Sequence, residues 1–258
     1  IISQDDVEVQ GTLANPATGP LFVRGANPGD LLKVEILEIE TAPTGIMRSS
    51  LTHGALVGKI DKRELKFFNI SGDTFSFDKH LMLKKKPMIG VIGTAPADNL
   101  EIPTDTPSEH GGNMDCSLIQ AGSTLYLPVN VQGALLALGD LHALMGDGEV
   151  LICGLECRGR VLTRVTVIKG QNLPTPFLDF QGEIMTIQSA ETLDEAALMA
   201  THKMHDFIMD ATKQDDNKSG MLMSLLANLA ICQIVDPLKT VRMTFPLKVL
   251  EQYGFKLP

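Results

Sequence analysis

The chain has 258 residues, of which 44% are hydrophobic and 21% charged, and its formal net charge is -9. This composition is typical of a globular protein that buries a sizeable core. The negative charge argues against a nucleic-acid partner, because phosphate binding needs a basic surface. The longest apolar stretch, at 221–235, is interrupted by Ser224, Asn228 and Gln233, so we predict no membrane span.

The start of the chain and its cysteines bear on its compartment. The sequence begins at Ile1 instead of methionine and shows no secretory signal, so a preceding segment is expected to be missing. The cysteines are too few for a disulfide framework in a chain of this length and are expected to be reduced. They are Cys116, Cys153, Cys157 and Cys232. We therefore predict a cytoplasmic protein with one domain over residues 1–258.

Turns and short strands are predicted over the first two-thirds of the chain. The stretches "NPATGP" (15–20) and "ANPGD" (26–30) combine proline and glycine in the manner of turns. Between such turns, apolar and polar residues alternate with the period of a half-buried strand. The predicted strands are "PLFVRG", "LLKVEILEIE", "LVGKI", "TFSFD", "MIGVIGTA", "STLYLPVNV", "EVLICGLEC" and "RVLTRVTVI". Their spacing favours an antiparallel sandwich or barrel, so region 1–188 is predicted to be β-rich.

The pattern becomes helical after residue 189. In "ETLDEAALMATHKMHDFIMDATKQ" the apolar residues recur at helical spacing, which predicts an amphipathic helix. The apolar stretch "MLMSLLANLAICQI" predicts a second helix that ends at Asp236-Pro237, and "VRMTFPLKVL" a closing strand. The fold class is therefore mainly β and antiparallel, with a C-terminal helical hairpin within 189–258, and α+β overall.

The segment "ALGDLHALMGDGEVLICGLEC" (137–157) concentrates ionisable residues in an apolar background. Asp140 and His142 would point to the same face of a strand, where an Asp-x-His pair can bind a divalent metal. The alternative is that Asp140 only orients a structural histidine. The turn "GDGE" would return Glu149 and Glu156 toward this strand, although such a turn is also common in plain hairpins. A carboxylate among buried residues, such as Glu156, needs a partner or a metal.

A second polar cluster lies in "SEHGGNMDCSL" (108–118). The paired glycines after His110 allow backbone N–H groups to approach a ligand, as in an oxyanion-binding turn. The alternative is an exposed glycine-rich loop. Cys116 is a further candidate, as a thiol nucleophile with His110 as its base, although no neighbour in the sequence indicates a lowered thiol pKa.

Three stretches together resemble the acetamidase/formamidase family: "HGGNMD", "GSTLYLPVNVQGALLALGDLHALMGDGEV" and "ANLAICQIVDP". The similarity is colinear from "NPATGPLFVRGANPGDLLKVEILEI" to the final "PLKVL". It implies a mainly β fold, a homodimer or higher homo-oligomer, and hydrolysis of short linear amides to a carboxylic acid and ammonia. It also implies a bound divalent metal, with zinc preferred over calcium. Family members begin with a longer N-terminal segment than this chain has.

The resemblance also implies site residues. The matching positions are His110, Asn113, Asp115, Asp140, His142, Asp147, Glu149 and Glu156. Because a metal lowers the pKa of bound water and polarises a carbonyl, we expect Asp115, Asp140 and His142 to bind it, with Glu156 as a fourth ligand. Glu149 is the expected proton-transfer residue and His110 is expected to line the pocket. The predicted oxyanion and substrate contacts are Gly111, Gly112 and Asn113.

Two other functions are compatible with the sequence. One is a thiol amidase that uses Cys116 as the nucleophile. The other is a relative that binds a small amide or a metal without catalysis, although an intact Asp140, His142 and Glu149 argue against it.

Overall fold

The computed structural model describes residues 15–98 and 100–258. Predictions that fall on residues 1–14 and 99, including the start of the β-rich region, lie outside the described residues. The strands are β1 (Ala17–Leu21), β2 (Leu31–Arg48), β3 (Leu65–Ser71), β4 (Thr74–Ser76), β5 (Met82–Lys84), β6 (Met88–Gly93), β7 (Gly111–Asn113), β8 (Thr124–Pro128), β9 (Leu136–His142), β10 (Glu156–Ile168), β11 (Phe177–Phe180), β12 (Glu183–Ala190), β13 (Asn228–Gln233) and β14 (Lys239–Pro246). The helices are α1 (Leu193–Thr212), α2 (Asp216–Leu226) and α3 (Leu247–Gln252).

Within the described residues the strands form one antiparallel sheet. Its order is β13-β14-β12-β11-β8-β2-β10-β9-β6-β7, and β1 and the β3–β4–β5 meander attach to its side. The sheet curls into a half-barrel. Its inner surface holds the first core cluster, in which residues such as Leu32, Val34 and Ile36 alternate with the polar positions of β2. The predicted mainly β, antiparallel fold is confirmed.

The helices cover one side of the sheet. Thr192 caps α1, because its side chain accepts from the Glu195 backbone N–H and the Glu195 side chain returns to the Thr192 N–H. The apolar face of α1, including Ala200, Met204 and Ile208, is buried in a second core cluster against β12 and β14. The predicted first helix is therefore confirmed.

The predicted second helix is wrong in its second half. Helix α2 ends at Leu226, and Ala227 is extended with φ -79° and ψ 150°. The following "NLAICQ" is the edge strand β13, paired with β14. In this strand Leu229 and Ile231 are exposed while Cys232 is buried. The apolar run that predicts a buried helix therefore forms a strand with one solvent-exposed face.

The structure also corrects four predicted strands. "PLFVRG" is extended only at its start, because β1 lies mostly within the predicted turn "NPATGP". "VRMTFPLKVL" is a strand only as far as Pro246 and continues as helix α3. "LVGKI" forms turns, and "EVLICGLEC" becomes a strand only at Glu156, the first residue of β10. Glu149 and Ile152 have φ of 47° and 58°. These left-handed conformations do not fit a strand, so residues 149–155 form a turning segment. The site described next is built around this segment.

No helix in the described ranges has the length and apolar character needed to cross a membrane.

Candidate active site

The end of β9 brings Asp140 and His142 to the centre of the site. Asp140 has φ 56°, an uncommon conformation for a residue other than glycine. β9 pairs with β6, and Gly90 of β6 lies where no side chain would fit. A Cβ there would be 2.6 Å from Asp115 Oδ1 and 2.7 Å from Asp140 Oδ2. The absent side chain therefore makes room for two carboxylates.

His142 is fully buried, and its two ring nitrogens face different carboxylates. Nε2 lies 3.0 Å from Glu156 Oε1 and 3.7 Å from Asp140 Oδ1, whereas Nδ1 lies 3.9 Å from Asp115 Oδ1. Neither nitrogen makes a hydrogen bond. The two longer separations exceed a hydrogen bond of about 2.7–3.2 Å. They suit two ligands that share a cation, because metal–ligand bonds of about 2.0–2.2 Å hold neighbouring ligands roughly 3–4 Å apart.

The ring of His142 is held from behind by backbone. A Cβ at Gly154 would lie 2.6 Å from His142 Cγ, so only glycine lets this segment pack on the ring. The Gly154 N–H donates to Glu156 Oε1 at 2.9 Å, and Glu156 lies opposite His142 in the β9–β10 pair. The same turning segment therefore fixes both the imidazole and the carboxylate beside its Nε2.

Glu149 reaches the cluster from the "GDGE" turn. Its side chain is buried, and its Oε2 has no hydrogen-bond partner. A carboxylate oxygen of Glu149 lies within 4.8 Å of ligand atoms of Asp115 and His142. The φ of 47° stores backbone strain of the kind that concentrates at functional sites. Asp115 shares this feature with φ 44°, and both of its buried carboxylate oxygens lack partners.

Asp147 anchors the turn that carries Glu149. Its two oxygens accept from the Arg242 guanidinium at 3.1 and 2.6 Å, and Ser117 Oγ donates to it at 2.7 Å. Burial opposes ionisation of Asp147, but the contacts with Arg242 and Ser117 hold its pKa below the ordinary value. The Gly148 N–H also donates to the Cys232 carbonyl at 2.8 Å. The turn is thus fixed to both the segment after Asp115 and the edge strand β13.

Asp236 was missed in the sequence, where "VDP" was interpreted only as the end of a helix. The side chain is buried and its Oδ2 accepts from Asn113 Nδ2 at 3.0 Å. Gln233 shapes this turn, since its Oε1 accepts from the backbone N–H groups of Val235 and Asp236. The signal that could have found it is its place in "ANLAICQIVDP", a stretch that carries the family resemblance.

Burial and mutual repulsion dominate the electrostatics of the carboxyl groups. Burial, then the charge of Asp236, raises the pKa of Glu149 to about 8. Burial raises the pKa of Asp236 to about 7, although the interaction with Asp115 acts in the opposite direction. Burial and the charge of Glu149 also raise the pKa of Asp115 well above its ordinary value. Burial alone would lower the pKa of His142, but Asp140 and Glu156 raise it well above its ordinary value.

The "HGGN" segment lies on the other side of Asp115. His110 is 9% exposed, its Nδ1 has no partner, and burial lowers its pKa, so the ring is neutral. The positive φ of Gly111 and Gly112 lets the backbone fold closely around this ring. The predicted oxyanion role of Gly111 needs correction, because its N–H donates to the Ser108 carbonyl at 3.0 Å. Gly112 lies in register with Ile92 in the β6–β7 pair.

Cys116 lies away from solvent. It is fully buried in the first core cluster, where a hydrogen bond from Cys232 lowers its thiol pKa despite the opposing effect of burial. Arg242 lies 3.6 Å from Cys232 Sγ. The lowered thiol pKa is a local effect that the sequence did not predict.

Two groups of residues could hold a metal ion. One is Asp115, His142 and Glu149; the other is Asp140, His142 and Glu156. Their chemistry fits a divalent cation, because carboxylate and imidazole atoms are suitable metal ligands and the buried atoms of Asp115, His142 and Glu149 include several without hydrogen-bond partners. The second group is also the more open, since the side chain of Glu156 is 31% exposed and that of Asp115 is fully buried. Of the four residues predicted from sequence as metal ligands, the three carboxylates therefore lie around the imidazole of the fourth, His142.

A family model described as the Acetamidase/Formamidase family matches residues 3–105 and 101–191. This match spans more than half of the chain, including both polar clusters. The chain belongs to the acetamidase/formamidase family. The resemblance seen in the sequence motifs is thereby confirmed.

Solved structures of this family share the fold. An acetamidase from Bacillus halodurans is 48% identical, with a TM-score of 0.92 over 94% of this chain and 82% of that chain. A predicted acetamidase/formamidase from Thermoanaerobacter tengcongensis is 44% identical, with a TM-score of 0.93 over 99% and 85%. A curated formamidase from Methylophilus methylotrophus is 28% identical over 65% of this chain and 55% of its own length. The chain spans about half the length of the curated relatives it matches.

Gly90 provides a test of how tightly the carboxylates pack. Gly90→Ala should lower the free energy of unfolding by about 1–3 kcal/mol, because its methyl group would overlap Asp115 and Asp140. It should also weaken divalent-cation binding by displacing both carboxylates. Urea unfolding and equilibrium dialysis measure the two effects. Gly146→Ala is the control, because an added Cβ there meets nothing within 4 Å; equal effects of both variants would contradict the packing argument.

Asp147 provides a test of the anchor under Glu149. Asp147→Asn should lower the free energy of unfolding by about 1–3 kcal/mol, since it leaves the nearly buried Arg242 without its ionic partner. Urea unfolding measures this. Asp206→Asn, at a side chain 79% exposed on α1, is the control. A stability equal to that of the control would show that the ion pair contributes nothing measurable.

Proposed function

We propose that this protein hydrolyses short linear amides, such as formamide or acetamide, to a carboxylate and ammonia. The observation that carries the proposal is the cluster around His142, in which both imidazole nitrogens and buried carboxylate oxygens of Asp115 and Glu149 lack hydrogen-bond partners. Membership of the acetamidase/formamidase family supports this reaction class. The relatives named acetamidase and formamidase support short amides as substrates.

In the proposed site, Asp140, His142 and Glu156 hold a divalent cation on the Nε2 side of the ring, with zinc preferred and calcium the alternative. The cation would polarise the amide carbonyl and lower the pKa of the attacking water. Asp115, which the sequence also predicts as a ligand, lies on the other side of the ring, near Nδ1. Because an imidazole points its two nitrogens in different directions, the Asp115 oxygen near Nδ1 is placed to orient the ring.

Glu149 is the proposed proton carrier. An amide needs a base that accepts the proton of the attacking water and an acid that protonates the leaving nitrogen. Without a cation, burial raises the pKa of Glu149 to about 8. A cation in the cluster would lower this pKa toward neutral pH, where the side chain can both accept and deliver a proton. The neutral His110 ring would line the substrate pocket, and the Gly112 backbone remains the candidate oxyanion contact of the "HGG" turn.

The deciding experiment measures ammonia release from formamide and acetamide by the protein as purified, after chelation, and after zinc or calcium is restored. We expect activity that is lost on chelation and regained with metal. Activity that chelation leaves unchanged, at verified metal depletion, would contradict the cation's role. A protein that releases no ammonia from either amide in any sample would contradict the proposed substrates.

Two alternatives make different predictions. A thiol amidase using Cys116 would be inactivated by iodoacetamide and protected by substrate, but the complete burial of this sulfur disfavours it. A non-catalytic relative would bind an amide without releasing ammonia. The expectations of a homo-oligomer and of a cytoplasmic location stay predictions.

A further inference from the structure

The side-chain NH₂ group of Asn113 makes hydrogen bonds, whereas its side-chain oxygen makes none. Its Nδ2 donates to Asp236 Oδ2 at 3.0 Å and to the Asp105 carbonyl at 3.5 Å. The residue is 1% exposed, and its Oδ1 has no hydrogen-bond partner. A buried carbonyl oxygen left in this state destabilises the fold unless a ligand satisfies it.

Its surroundings fix which half of the amide remains free. The backbone carbonyl of Asp105 can only accept a hydrogen bond, and Asp236 Oδ2 accepts one from the same nitrogen, so the NH₂ group of Asn113 faces them. Asp236 is itself held by the turn around Gln233, whose Oε1 accepts from the Asp236 N–H at 3.1 Å. Asn113 therefore presents an acceptor, and it has no free donor for an oxyanion.

This acceptor lies beside the proposed catalytic cluster. Asn113 ends β7, close in sequence to Asp115, and faces Val91 of β6, next to Gly90. Its partner Asp236 interacts with Asp115 and is the charge that, after burial, raises the pKa of Glu149 most. The free oxygen thus belongs to a buried residue that adjoins the proposed catalytic cluster.

We propose that Asn113 Oδ1 accepts an N–H of the amide substrate and that Asp236 is the positioning residue that keeps this oxygen turned toward the substrate. This inference rests on the proposed function and deepens it. A primary amide offers N–H donors at this position, whereas an ester or a carboxylate presents only oxygen lone pairs. The pair Asn113–Asp236 therefore selects amides over isosteric esters and over the acid product.

The test compares acetamide with methyl acetate in the wild type and in Asn113→Leu and Asp236→Asn. Removing the acceptor should lower kcat/KM for acetamide at least tenfold relative to kcat/KM for methyl acetate. In Asp236→Asn the new side chain can also donate, so Asn113 is free to turn its oxygen away, and the same ratio should fall. Gln188→Leu is the matched control. It removes another buried amide with an unpartnered oxygen, on β12, the strand packed against α1, and should leave the ratio unchanged.

If Asn113 has only a structural role, its substitution should lower kcat/KM for acetamide and for methyl acetate by the same factor. An unchanged ratio of the two values would overturn the inference. A binding measurement by NMR on the wild type tests the inference even if the protein has no hydrolytic activity, and it needs no variant. The wild type should bind acetamide at least tenfold more tightly than methyl acetate or acetate. Absence of hydrolysis with this binding preference intact would contradict the proposed function alone. Equal binding of the three ligands would overturn the inference whether or not the protein is an amidase.

Discussion

Glu149→Gln should lower kcat for acetamide by about 10²–10⁴-fold, the usual contribution of a general acid–base group. The amide keeps the shape of the side chain and cannot accept or deliver a proton. Glu149 approaches His142 from the side of Asp115, whereas the proposed cation ligands on the Nε2 side are Asp140 and Glu156. Metal content should therefore stay near that of the wild type, while turnover collapses.

Steady-state kinetics with metal analysis by mass spectrometry decide this prediction. Glu191→Gln, at an exposed position before α1, is the control and should match the wild type in both readouts. Retained activity in Glu149→Gln would remove Glu149 from proton transfer. Lost activity together with lost metal would reassign Glu149 as a ligand, in the group that it forms with Asp115 and His142.

The core of the site follows from local sequence. Asp140 and His142 are two residues apart on one strand, and "GDGE" is short enough to return Glu149 to them. Carboxylates embedded in an apolar run signal a compensating charge. Local patterning therefore suffices for residues that one strand and its following turn bring together.

The residues that sequence reasoning missed depend on long-range contacts. Asp236 and Arg242 reach the site only because β13 and β14 lie at the end of the sheet, with Gly148 bridged to Gln233. The run "NLAICQ" has no alternation strong enough to distinguish an edge strand from a helix. The acceptor role of Asn113 also could not be predicted, because it depends on which two groups occupy its NH₂.

The metal-free protein should lose stability as pH rises from about 5 to about 8.5. The ordinary pKa values of Glu149 and Asp236 are 4.5 and 3.8, and in the fold they rise to about 8 and about 7. Above pH 5 the unfolded chain releases these protons while the folded chain retains them, so ionisation favours unfolding until pH exceeds the folded values. Each group lowers the free energy of unfolding by up to about 1.4 kcal/mol per pH unit, so the total loss over this range is several kcal/mol.

Three further groups of the cluster act in the same direction and Asp147 does not contribute. His110 acts in the opposite direction, because burial lowers its pKa and its contribution to stability therefore increases as pH rises to about 6.5. The pKa of His142 is raised, so its stabilising charge is present at low pH and is lost as pH rises through its folded pKa. Asp115 and Glu156 also have raised pKa values and oppose folding when they ionise. Asp147, whose pKa is lowered, is already charged at pH 5 and adds no slope.

Urea unfolding in a chelator at pH 5, 7 and 8.5 measures this slope. The double variant Glu149→Gln and Asp236→Asn should flatten it, because neither amide titrates. Addition of zinc or calcium should restore stability most at pH 8.5, since the cation replaces protons that the carboxyl groups have already released. A metal-free protein that is as stable at pH 8.5 as at pH 5 would show that these carboxyl groups are not held protonated by burial and repulsion, and the electrostatic reason for placing a cation beside His142 would fail with it.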